Sequence, residues 1–396
     1  MYLETDSMTQ RERLDAVLNH QQPDRLPFYL MGYPRFGSFY QEFLKCEDEL
    51  LDAYTGDDRN VLLTPCGDYT INAFFGADII TRGLSVDYPK HQWLDEQKKF
   101  TDHGIMVNGK QTGFRVNYFG YLEREDLLPN GETNSWYYGP FMKTQQEFQD
   151  WFDTYGWPHE LEVKAEERVT EINETNAKFS HAIHVIPSYD PSPFTHLWMM
   201  LGNRIAYFYR KCPDFVKKIV DSMAELQIKQ VEKMKPLQPV AVFNGDDLGQ
   251  KDRAMLSPAQ YHEFFFDARK RVNDAIHDIG AKSIQHSCGN AVELLPELVA
   301  SGLDGWQSLE PASGIDHAWV KKNFGDTLSF WGAIDNNVLC FGTAADVEAE
   351  VKQKIQTLAP GGGYVIGPAH DYLNTRVDNA IALREAAKIF GAYPLE

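Results

Sequence analysis

Apolar and polar positions along the chain follow two rhythms: short apolar runs bounded by Gly, Pro or Asp, and longer stretches with apolar residues every three or four positions. The first rhythm predicts strands and the second helices. Thr9-Gln-Arg-Glu12 opens a helix to about Asn19, with Thr9 as N-cap and Glu12 as its capping-box partner. Gln22-Pro-Asp-Arg-Leu-Pro27 stops that helix, and Phe28-Tyr-Leu-Met31 reads as a first strand. Residues 39–54 read as a helix and Val61-Leu-Leu-Thr-Pro65 as a second strand, while 145–153 and 160–175 carry helical spacing.

From residue 181 the alternation becomes regular. Strands are predicted at His181–Ile186, Pro239–Phe243, Ala281–Ile284, Leu303–Trp306, Leu328–Trp331 and Gly363–Ile366. Helices are predicted between and after them at 194–211, 213–235, 258–279, 291–300, 316–323, 344–358 and 378–390. Strands separated by helices of this length imply β-α units and a parallel sheet. These six units and the two earlier strands predict an α/β fold, a (β/α)8 TIM barrel in which residues 1–396 form a single domain.

Between about 87 and 140 the pattern changes. Asp102-His-Gly104, Val107-Asn-Gly-Lys110 and Pro129-Asn-Gly131 are turn signals set among Tyr, Phe and Val. They predict a β-hairpin insertion near the barrel mouth, whose aromatics either line a pocket or pack as a lid.

Charge narrows the partners. Against 38 basic residues stand 57 acidic ones, a net −19, which argues against nucleic acid or an anionic membrane surface. No run of about 18 apolar residues is present, so no membrane span is expected. Met1-Tyr-Leu-Glu-Thr-Asp6 does not read as a signal peptide. Five scattered cysteines, an odd number, read as reduced cytoplasmic thiols.

In a barrel, reactive groups belong where strands end, because those ends open on one face. Asn244-Gly-Asp246-Asp247, His286-Ser-Cys288, Gln307-Ser-Leu-Glu310, Gly332-Ala-Ile-Asp335 and Gly367-Pro-Ala-His370 all follow predicted strands. Residues two apart in an extended segment face the same side, so His286 and Cys288 can meet one point. With Glu310 and His370 they form a candidate four-ligand zinc set, Glu310 being the exchangeable member. The plainer alternatives are a buried thiol with a hydrogen-bonded core histidine, a carboxylate pairing with a mouth cation, and a histidine contacting substrate. Asp246 and Asp247 are candidate acid/base groups, or else a helix cap and a hydrogen-bond partner of His286. Arg35 (a loop Arg or an anion contact), Tyr189 and Asp335 are assigned to substrate, and Cys340 is a weaker candidate ligand. Gly361-Gly-Gly363 precedes a strand, so it reads as a turn rather than a phosphate loop.

Several of these pieces occur together: Thr9-Gln-Arg-Glu-Arg13, Gln22-Pro-Asp-Arg-Leu-Pro27, Gly245-Asp-Asp-Leu-Gly249, His286-Ser-Cys-Gly289, Gly332-Ala-Ile-Asp335 and Ala359-Pro-Gly-Gly-Gly-Tyr364 before Pro368-Ala-His370. On them the chain resembles the uroporphyrinogen decarboxylase superfamily over nearly its whole length, and the resemblance implies an eight-stranded barrel. Decarboxylases of that superfamily carry Arg-Gln-Ala-Gly-Arg-Tyr after the first strand, where this chain has Leu30-Met-Gly-Tyr-Pro-Arg35. His-x-Cys is instead similar to the zinc-dependent methyltransferase branch, with His370 standing where that branch places a final Cys. The resemblance implies Zn2+ and methyl transfer between a methylated small molecule or thiol and a corrinoid (cobalamin) on a separate partner protein. The alternatives are a metal-free decarboxylase of porphyrin biosynthesis and a non-catalytic corrinoid- or tetrapyrrole-binding protein.

Overall fold

A computed structural model of the protein describes residues 6–32, 37–47, 63–64, 67–89, 92–93, 106–107, 110–111, 114–127 and 133–395. Its centre is a parallel sheet of β1 (Ile79–Gly83), β2 (His184–Ser188), β3 (Ala241–Gly245), β4 (Lys282–His286), β5 (Gly305–Ser308), β6 (Ser329–Ile334) and β7 (Tyr364–Pro368), paired in chain order. Phe28 bridges Ile366 and Tyr29 bridges Ile79, both parallel. Tyr29 N donates to Ile366 O at 2.9 Å, and Asp78 N donates to Phe28 O at 2.9 Å. These bonds place an eighth stave between β7 and β1, giving an α/β fold of the TIM-barrel type.

One predicted stave lies elsewhere. Leu63–Thr64 pairs antiparallel with Gly67–Asp68 rather than joining the barrel, and the rest of Val61–Pro65 lies outside the described residues. The second stave is β1, which pairs in parallel with β2 from Ile79↔His184 to Gly83↔Ser188. Its apolar signal is short because the residue before it, Asp78, is a fully buried carboxylate gripped by Arg25 at 2.6 and 2.8 Å. A charged residue at the head of a stave conceals it from any pattern of apolar runs.

Side chains facing the barrel axis form one layer: Tyr29, Ile79, Ile186, Phe243, Ile284, Trp331 and Val365. Tyr29 packs on Trp331 at 5.4 Å and on Phe243 at 5.6 Å between ring centroids. Helix α1 (Gln10–Leu18) closes the floor by adding Leu14, Val17 and Leu18 to this cluster. It starts as predicted, with Thr9 and Glu12 in a reciprocal capping box. Residues two further along each inward-facing row stand above this layer, at the mouth.

The aromatic-rich segment forms an antiparallel sheet. Tyr121–Leu127 pairs with Thr133–Pro140, then Phe114–Val116 and Gln92–Trp93 follow. Met106–Val107 pairs antiparallel with Lys110–Gln111, while Asn108-Gly109 between them and the predicted Asp102-His-Gly104 and Pro129-Asn-Gly131 turns lie outside the described residues. The sheet leans on helix α2 (Pro193–Leu201), which follows β2: Tyr137 Oη donates to Met199 O at 3.2 Å and its ring lies 5.6 Å from Trp198.

Candidate metal centre

Strand β4 ends at His286, which stands directly above the inward-facing Ile284. Cys288 lies two residues on, and its thiol meets His286 Nε2 at 3.0 Å. The chain then turns through Gly289, whose φ of +69° and close approach to the Gly249 backbone leave no room for a side chain. From the far side of the mouth, after β7, comes His370, its ring centroid 6.0 Å from that of His286. Ligand atoms of His286, Cys288 and His370 lie within 4.8 Å of one another.

Neighbouring strands orient these groups. In the β4–β5 register His286 sits opposite Gln307, and His286 Nδ1 bonds to Gln307 Oε1. Gln307 Nε2 donates to Ala369 O at 3.3 Å, which turns the amide oxygen toward the imidazole. His286 Nδ1 therefore carries a proton, which leaves Nε2, facing Cys288 and Asp247, as the nitrogen a metal would take. Asp247, after β3, accepts the Cys288 N–H at 3.0 Å and lies 3.4 Å from His286 Nε2. Asn336 Oδ1 accepts the His370 N–H at 2.9 Å, and Asn336 Nδ2 donates to Asp371 O at 2.8 Å, tying the β6 and β7 loops together.

Electrostatics separates the groups. Burial, and then the charges of Asp247 and Glu310, push the Cys288 thiol far above its ordinary range. Burial alone would also raise Asp247, but its contacts with His286 and the Cys288 N–H bring it to about 2. The Asp371 contact raises His370 against the opposing effect of burial. A thiol surrounded by carboxylates keeps its proton unless a cation offsets their field.

The uroporphyrinogen decarboxylase (URO-D) family model matches residues 175–390, more than half of the chain. The chain belongs to this family. Among solved structures, a methyltransferase from Methanosarcina mazei matches with a TM-score of 0.60 at 15% identity, covering 97% of this chain and 99% of that one. At that identity the likeness is one of fold. A D-psicose 3-epimerase from Clostridium cellulolyticum H10 matches with a TM-score of 0.38 at 12% identity, covering 58% of this chain and 84% of that one. No curated protein matches the sequence.

In this URO-D family member the predicted site residues fall into three groups. His286, Cys288 and His370 converge, with Asp247 against them. Glu310 borders the set without entering it, its Oε2 accepting the Gly289 N–H at 3.2 Å and the Ser313 hydroxyl at 2.9 Å. The others are engaged elsewhere. Asp246, pushed up to about 6 by burial against the pull of its donors, accepts from Phe194 N, Thr195 N and Thr195 Oγ1 at the start of α2. Tyr189 is buried, taking a hydrogen bond from Arg269 at 2.9 Å. Asp335 caps helix α4 (Asn336–Phe341) through the Asn337 N–H, and half-buried Cys340 belongs to that helix. Arg35 lies outside the described residues. Gln307 and Asn336 escaped the sequence reading, their one signal being a polar residue at or just past a strand end.

The donor set fits zinc. Bonds of about 2.0–2.3 Å place tetrahedral ligands roughly 3.3–3.8 Å apart, so donors now within 4.8 Å would close on an ion with about an ångström of side-chain motion. Two imidazoles and a thiolate are a borderline-to-soft set, which zinc prefers over magnesium or calcium.

Proposed function

We propose that this URO-D family member is a zinc-dependent methyltransferase, moving a methyl group between a small methylated molecule or thiol and a corrinoid carried by a separate protein. One observation carries the reading: His286, Cys288 and His370, from two strand ends far apart in the chain, bring donor atoms to one point at the mouth. The family membership and the fold likeness to a methyltransferase support it. Zinc would be held by these three side chains and would supply Lewis acidity that stabilises a thiolate at neutral pH.

The protein's own groups have defined tasks in this reading. Gln307 fixes the His286 tautomer, and Asp247, ionised at neutral pH, holds the Cys288 backbone. Asp246 secures α2, against which the aromatic sheet rests. Glu310 holds Gly289 and Ser313 through Oε2 at the border of the donors, which suits an exchangeable fourth position. Substrate enters above the donors, and the corrinoid protein docks at the same mouth.

The test is zinc content together with methyl transfer. Purified protein is expected to hold one tightly bound zinc and to demethylate methylcobalamin in the presence of a thiol. His286→Ala and Cys288→Ser should lose both properties while staying folded by circular dichroism. Zinc-free protein whose two variants keep full activity would overturn the proposal and favour metal-free chemistry at the same mouth.

A further inference from the structure

Behind the mouth runs a buried polar chain that touches no candidate donor. Helix α5 (Ala344–Leu358) carries Lys354, only 8% exposed, and one turn earlier Glu350. Lys354 Nζ lies 3.5 Å from Glu350 Oε1 and donates to Nδ1 of buried His317, in helix α3 (His317–Phe324), at 3.2 Å. With Nδ1 accepting, the ring proton sits on Nε2, which donates to Leu309 O at 2.8 Å. Burial, and then Lys354, hold His317 down at about 4, so the neutral ring persists at physiological pH.

Both ends of this chain reach backbone next to the candidate centre. Leu309, with φ of +48°, follows Ser308 at +108° and immediately precedes Glu310. Two successive non-glycine residues in the left-handed region persist only where their surroundings force them. At the other end Glu350 Oε1, the same atom that faces Lys354, accepts the Asp335 N–H at 3.3 Å. The next residue is Asn336, which holds the His370 N–H. One run of groups thus links the backbone that presents Glu310 to the backbone that presents His370. A buried lysine is a poor means to stability, since apolar side chains of equal volume often do better.

We infer that Glu350, Lys354 and His317 are positioning residues, which set the Glu310 and His370 loops at a fixed separation across the mouth. The inference rests on the metal reading above for its consequence, but not for its geometry. None of the three touches a donor atom, so they act through Leu309 and Asp335 alone.

Hydrogen exchange on metal-free protein tests the geometry, and cobalt(II) binding tests the consequence. The paired variant Glu350→Gln with Lys354→Met removes both charges together, avoiding a single unpaired one. Its amides at 309, 310, 312, 313 and 335–337 are expected to exchange at least about tenfold faster, with α5 itself unchanged. Its cobalt(II) affinity should fall by about 10–100-fold, with altered visible bands. His317→Leu should behave alike. His317→Gln, whose amide can accept from Lys354 and donate to Leu309 O, should restore both readouts. Unchanged exchange at the two loops in the paired variant and in His317→Leu overturns the inference. If the loops loosen but wild-type protein takes up no cobalt, the metal reading falls and takes the positioning role with it. If wild-type and loosened variants bind cobalt equally well, the metal reading stands and the positioning role is refuted.

Discussion

Gln307 shows how much a single neutral side chain decides. Its amide oxygen selects the His286 tautomer, and its amide nitrogen is tied to the loop that carries His370. Gln307→Leu keeps the volume and removes both bonds. It is expected to weaken zinc about 10–100-fold, measured by competition with a chromophoric chelator, with little change in circular dichroism. Wild-type affinity in this variant would show that packing alone orients the ring. The candidate donors were legible to different degrees at this scale. His286 and Cys288 stood out because two residues apart in a strand point one way, a purely local rule. Gln307 did not, because its partner is on a neighbouring strand and only the register brings them opposite. For Glu310, residue type and strand-end position suggested a ligand, but neither could disclose the Gly289 and Ser313 donors already engaging it.

At the scale of elements, what is written locally survives folding unchanged. Helix α5 begins where Thr343 and Asp346 cap each other, Thr343 N–H donating to Asp346 at 2.8 Å and Thr343 Oγ1 receiving the Asp346 N–H at 3.3 Å. Thr343→Ala should therefore cost about 1 kcal/mol, read as a lower urea midpoint at constant slope. A midpoint equal to wild type would mean the helix start is held by tertiary packing instead. The six later staves were legible because each is a short run ended by a turn-forming or polar residue (Pro187, Asn244, Gln285, Gln307, Gly332 or Gly367) and followed by a stretch of helical spacing. The stave Ile79–Gly83 was not, since Asp78 at its head reads as a loop residue until Arg25 is placed beside it. Helix α4 is equally obscure in sequence, being six residues long and capped by Asp335.

The whole molecule depends on a charged girdle at the barrel floor. Arg25 grips Asp78 and also meets Asp6, while Arg13 meets Asp24. Burial would raise Asp78, but the Arg25 guanidinium overcomes it and holds the carboxyl at about 2, against 3.8 unfolded. A carboxyl depressed in the folded state stabilises the protein fully above the unfolded value. That contribution is lost as pH falls through the folded value. Stability should therefore drop by about 2 kcal/mol from Asp78 between roughly pH 4 and pH 2. Urea midpoints recorded across that window should fall steeply in wild-type protein, and a flat profile would refute the assignment. Removing Asp78 alone, as Asp78→Asn, should cost about 3–5 kcal/mol at pH 7, because Arg25 would lose its main buried counter-charge.

The amino-acid sequence by itself determined the α/β class, the capped helices, seven of the eight staves and the His-x-Cys pair. Each follows from periodicity or from contacts between residues close in the chain. Only the tertiary structure decided which early segment closes the barrel, which of the four expected ligands converge, and which neutral or buried polar groups hold them in place. Those outcomes are set by strand register and by pairings such as Arg25 with Asp78 or His317 with Lys354. The energy of such a pairing exists only once distant parts of the chain are brought together, and no local pattern records it.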